Sequence, residues 1–256
     1  MGARYMRVTE RSAPSAWVRG ECFDARAVAG FLRLYGVALV VDVLAELGAG
    51  VWQVHTGHLY PWRHLGIVPL YPARGLAVEW ALRALGGFAL VLGARRPRVV
   101  ALGVRVLVPV LLVAVLERYS NHGVLLFLLA LYLSIAPPDL TRPRFAHEPH
   151  PALGLVRAQL VIVYVFSAIN KLTHGFGHGD SLANLLALPL RTARMLSWSV
   201  IAAELALPLV LFRWPRLGLA GVIALHVTFA LLVPGVWSFA LTMIAMAILF
   251  TRPSAA

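Results

Sequence analysis

The chain has 256 residues, 60% of them hydrophobic and only 13% charged, with a mean hydropathy of +0.78. A soluble domain carries about a quarter charged residues, so the implied solvent is lipid. The net charge of +12 comes without interleaved aromatic and basic runs, which excludes a nucleic-acid grip and leaves the positive-inside bias of membrane proteins as its cause.

The N-terminal tail, residues 1–26, is basic and has no continuous apolar core, so it is not read as a cleavable signal peptide. It holds the only cysteine, Cys22, which leaves no intrachain disulfide and no cysteine-built metal centre. Asp24 stands where a helix cap belongs, just before the first apolar run.

Eight apolar blocks follow, at roughly 27–50, 76–93, 99–117, 122–136, 151–172, 196–213, 217–233 and 235–250. A helix crosses the hydrocarbon with about 20 residues. The fourth, seventh and eighth blocks are short for that, which leaves seven or nine spans open beside eight. Pro234-Gly235 parts the last two blocks as a tight turn. The expected fold is an all-α integral membrane protein, a polytopic bundle of about eight transmembrane helices. It is expected to form a single domain over 27–250, with a short tail over 251–256. The segments 51–75, 137–150 and 173–195 read as the longer loops.

Basic residues set the orientation. The N-terminal tail, the turns at 94–98 and 213–216, the loop at 137–150 and the C-terminus together hold thirteen arginines. The opposite set of segments holds six basic residues, so both termini are expected in the cytoplasm. A multi-pass protein of the cell membrane follows, and most histidines then fall on the extracytoplasmic side.

Ionisable groups inside spans are costly and are candidates for function. Glu79 and Arg83, spaced i, i+4, read as a salt bridge on one helix. Arg105 reads as an interior pair or a snorkelling side chain. Arg33 and Asp42 lie nine residues apart on the first span, so they are expected to have structural roles, each bonding a different helix. Glu204 and His226, on sequential spans, stand at depths where they can meet. His55-x-x-His58 and His174-x-x-x-His178 each offer two imidazoles, but no carboxylate completes either pair, so no metal site is assigned.

Lys171 stands apart. It is the only lysine beside 22 arginines, and it falls at the end of an apolar run. An amine in a poorly hydrated site can serve as a base, which a guanidinium cannot. A snorkelling lysine at the interface is the plain alternative.

Around this lysine, Tyr164-Val165-Phe166-Ser167-Ala168-Ile169-Asn170-Lys171-Leu172, then Phe176 and Gly179, resembles the signature of the vitamin K-dependent γ-glutamyl carboxylase membrane domain, the HTTM domain. That family has Trp where Phe176 stands. Further landmarks follow in order: Arg33-Leu34-Tyr35-Gly36 with Asp42, Asn121-His122, Ile135-Ala136-Pro137, Glu204, His226 and Trp237-Ser238-Phe239. The resemblance covers about residues 23–250. It implies a carboxylase-like lyase dependent on quinol and oxygen. In this reading Lys171 is the base on a reduced naphthoquinone of the vitamin K or menaquinol kind, and His122 is its helper. Oxygen then converts the quinol into a stronger base, and carbon dioxide is consumed if the product is a carboxylate.

The expected cavity is lined by Asn121, Tyr164, Asn170, Phe176, Gly179, Glu204 and His226. The quinol reaches it from the bilayer, and the active face is extracytoplasmic. The carboxylase carries a large lumenal region after its membrane domain, whereas this sequence stops at Ala256, so only the membrane part is expected. The substrate is then a secreted peptide or a smaller molecule. The rival expectations are a non-catalytic membrane partner in maturation, export or immunity of a secreted peptide, and a small-solute transporter. The transporter is disfavoured because no inverted repeat is found.

Overall fold

The structure, a computed structural model, describes residues 23–51, 73–118, 120–137, 150–233 and 235–251. The expectations for the N-terminal tail, for His55, His58 and His64, for most of the 137–150 loop and for residues 252–256 lie outside the described residues. Nine helices are seen among the described residues, with no strand. They are α1 (Ala25–Gly48), α2 (Ala73–Gly93), α3 (Pro97–Glu117), α4 (Asn121–Ser134), α5 (Pro151–Thr173), α6 (Asp180–Leu186), α7 (Leu190–Arg213), α8 (Pro215–Leu232) and α9 (Trp237–Ile248). Six of them (α1, α2, α3, α5, α7 and α8) are long and apolar enough to cross a membrane. α4 and α9, with 14 and 12 residues, are apolar but shorter. The chain is a multi-pass helical membrane protein.

Local signals set the helix ends. Asp24 caps α1 by accepting from the Arg26 backbone N–H at 3.0 Å. Ser120 does the same for α4, accepting from Gly123 N–H at 3.1 Å. Pro97, Pro151 and Pro215 occupy the first positions of α3, α5 and α8, where a missing N–H costs nothing. α8 and α9 part at 233–236, with Gly235 at φ +82 making the turn that Pro234-Gly235 leads one to expect. One expectation needs correcting: segment 173–195 is not simply a loop. It holds a 3-10 turn (Phe176–His178), the seven-residue α6 and the first turn of α7. A helix this short leaves no hydropathy block, and Arg191 and Arg194 interrupt the apolar run at the start of α7.

The eight apolar helices close into a ring in chain order, with α9 returning to pack on α1. α9 also touches α4 and α5, and Thr242 through Ala247 are all buried, so this helix is covered on every side. Lipid gives little hydrophobic drive between helices, so close backbone approach must hold the seams. At the α1–α2 seam Gly36 faces Gly87. A Cβ on Gly36 would stand 2.5 Å from the Gly87 carbonyl, and one on Gly87 would stand 2.7 Å from that of Gly36. Next to Gly36, Tyr35 donates its hydroxyl to the Leu126 carbonyl at 2.6 Å, pinning α1 to α4. At the other end Arg157 donates to the Leu249 carbonyl and lies over the rings of Phe23 and Phe250.

Candidate active site

Two polar clusters form near one end of the ring, on opposite sides of the first turn of α9. The first joins α1, α2 and the α3–α4 turn. Arg83 reaches Asp42 at 2.5 Å, Glu46 at 2.9 Å and Glu79 at 2.8 Å. Arg118 pairs with Glu79 and lies 3.3 Å from Glu46. Trp80 donates its indole N–H to Glu46 at 2.6 Å. His122 Nε2 lies 3.3 Å from Asp42 Oδ1. The i, i+4 bridge of Glu79 and Arg83 is therefore one edge of a larger network. Asp42 bonds α2 and α4 as expected of it, whereas Arg33 is exposed on the outer face of α1.

The second cluster joins α5, α7 and α8. Lys171 Nζ donates to Ser167 Oγ at 2.6 Å and to Glu204 Oε1 and Oε2 at 2.7 and 2.9 Å. Ser167 donates to Glu204 Oε1 at 3.0 Å. Deeper on α5, the Tyr164 hydroxyl meets His226 Nε2 at 2.9 Å, and Phe239 stands edge-on to that imidazole. These groups line a cavity of about 280 Å³ whose remaining walls are apolar, among them Val163, Phe229, Val233, Phe239 and Met243. That volume is near the lower end of small-molecule pockets, about 300–1,000 Å³.

The segment after Lys171 closes over it. Phe176 places its ring 5.7 Å from the ammonium. Gly179 sits at φ +89, and a Cβ there would lie 2.5 Å from Arg194 N, so the turn packs directly on the α7 backbone. The spacing of lysine, aromatic and glycine thus has a physical reason: an aromatic cover on the ammonium, hinged where only glycine fits.

Not every expected neighbour meets. Glu204 and His226 share the cavity, but each bonds a residue of α5 rather than the other. Asn121 and His122 do not line the cavity; His122 belongs to the first cluster, and Asn121 is exposed at the start of α4. Asn170 is exposed, and its backbone carbonyl accepts from Thr173 and His174. No group of three or more His, Cys, Asp or Glu able to hold a metal is found among the described residues.

Sequence reasoning passed over Glu46, Arg118 and Arg157. All three lie near span ends, where charge is ordinary. Ser167, four residues before Lys171 on the same face of α5, carried the only available signal for its part in the cluster.

A family model described as the HTTM domain matches residues 21–254. The chain belongs to the HTTM-domain family. This domain occurs in the vitamin K-dependent carboxylase and related proteins, so the chain is a membrane protein related to that carboxylase. No curated protein and no solved structure matches it. The HTTM signature around Lys171 falls on the second cluster, and its Asn-His pair falls at the first.

Proposed function

We propose that this chain is a carboxylase-type membrane enzyme, with Lys171 as the base on a reduced naphthoquinone and a peptide or small molecule modified at the extracytoplasmic face. One observation carries the reading: the chain's only lysine is held by a carboxylate and a hydroxyl in the wall of a largely apolar cavity. Such a wall suits a flat apolar ring whose hydroxyl must be met by a polar group at the cavity's edge. The reduced ring, when bound with oxygen, supplies a base stronger than any side chain; carbon dioxide is consumed if the product is a carboxylate.

The chain's own residues handle the first proton. Lys171 Nζ touches both oxygens of Glu204, so a proton can pass from the ammonium to that carboxylate. The freed amine lone pair then accepts a hydroxyl proton from the ring. Ser167, bonded to both partners, keeps Nζ and the carboxylate aligned. Phe176 and the apolar walls limit water at Nζ. His122, whose Nε2 is bonded by Asp42, is assigned its helping role from the neighbouring cluster rather than from beside the lysine.

The test is mass spectrometry of the purified chain in lipid nanodiscs with a reduced naphthoquinone and oxygen. The expected product is quinone epoxide, formed by the native chain and not by Lys171→Ala. A folded Lys171→Ala protein making epoxide at the native rate overturns the reading.

A further inference from the structure

The proton chemistry above leaves one buried pair unused. Tyr164 and His226 are bonded to each other in the wall of the same cavity, 1% and 5% exposed. A polar pair within a membrane bundle is costly unless it orders the fold or meets a ligand. Its position argues against a simple pin. It joins α5 to α8, helices that are not principal packing partners in the ring; each packs on α7 instead. The bond therefore bridges the cavity.

The placement of the pair is specific. Tyr164 precedes Lys171 by seven residues on α5, so the two share a helix face about 10 Å apart along the axis. Lys171 answers to Glu204 on α7, and Tyr164 to His226 on α8. Phe229, Phe239 and Met243 are among the side chains that make the rest of the wall apolar. The cavity thus has two polar poles with apolar walls. The inner pole is also unsaturated: a tyrosine hydroxyl carries one proton and two lone pairs, and one bond to His226 leaves a lone pair to accept another donor.

We propose that Tyr164, held by His226, binds the second oxygen of a ring that carries oxygens at opposite ends, while Lys171 takes the first. The cavity then selects 1,4-dioxygenated aromatic rings over singly hydroxylated ones. This rests on the quinol reading above and adds residues to it. Tyr164 is the contact residue, and His226 is the positioning residue behind it.

The test is anaerobic equilibrium binding of 1,4-dihydroxynaphthalene and 1-naphthol to the full chain in nanodiscs, read by tryptophan fluorescence. The native chain is expected to favour the two-oxygen ring about tenfold, the scale of one buried hydrogen bond. Tyr164→Phe and His226→Phe are expected to abolish that preference through weaker binding of 1,4-dihydroxynaphthalene. Lys171→Met is expected to weaken both rings. Tyr164→Phe removes a single oxygen, so it carries the test even where His226→Phe does not fold. Equal binding of the two rings by the native chain, or a preference that survives Tyr164→Phe, overturns the two-pole assignment and leaves the quinol reading standing. Failure of the native chain to bind either ring overturns both.

Discussion

The two polar clusters near one end of the ring are built from different cations, and under the proposed reading the contrast sets a structural ion-pair network beside a proton-transfer site. On the α1–α2 side, two guanidiniums answer three carboxylates in bonds that span three segments of chain. Arginine keeps its proton and its planar fork, so such a network fixes geometry and moves no proton. On the α5–α7 side, one ammonium, one carboxylate and one hydroxyl form a small set whose cation can be deprotonated. Beside it is open volume, where the arginine network is filled by its own side chains. A chain that spends arginine everywhere else has its one lysine here, which is where the proposed reading needs a proton to leave.

The comparison can be broken from either side. Its largest expected effect is on turnover: Lys171→Met should lower quinol oxidation by about 10²–10⁴-fold, the range of a lost general base, in a steady-state assay of purified protein. A fall of less than tenfold would place the chemistry elsewhere. Next is stability. Arg83→Met leaves three carboxylates facing one guanidinium and should cost roughly 3–5 kcal/mol, read as a lowered unfolding midpoint in detergent. Native-like melting of that variant would remove the scaffold role from the network. Smaller is Gly179→Ala, which meets both a left-handed φ and the α7 backbone. A cost of about 1–3 kcal/mol is expected, with quinol affinity reduced because the Phe176 turn shifts. An unchanged affinity would uncouple that turn from the cavity. The smallest is Phe176→Leu, which removes a cation–π contact worth about 0.5–1 kcal/mol and should change turnover only severalfold.

Much of this was readable in the chain. Among the described residues the apolar blocks fall on apolar helices, six of them long enough to cross a membrane, because hydropathy reports local composition, and Asp24 and Gly235 act through local geometry. Lys171 and Glu204 were exposed as candidates because charge within a span is rare. What the sequence did not carry was ring closure. His122 and Glu204 each lie on the apolar helix next in chain order to that of Lys171, yet α4 meets α1 through Asp42 whereas α7 brings Glu204 to the lysine. The split of Glu204 and His226 between two partners on α5 depends on helix rotation, which nearly uniform apolar helices leave unmarked. The short α6 is invisible for a third reason: seven residues, set between left-handed residues at Gly179 and Ala187, are too few for periodicity to show.

The return of α9 onto α1 bears on how the molecule is made. Helices enter the bilayer in the order of synthesis, so the α1 surface that ends against α9 must wait, next to lipid or a chaperone, until α9 itself has emerged. Asp42 sits on that side, beside Ser238 of α9. The Gly36–Gly87 seam joins α2 to α1 and places Arg83 against Asp42, so this carboxylate has a partner from a helix made well before α9. The cavity wall supplied by α9 arrives after those of α5, α7 and α8, so a nascent chain stalled before Trp237 would have its lysine in place and a chamber open on one side.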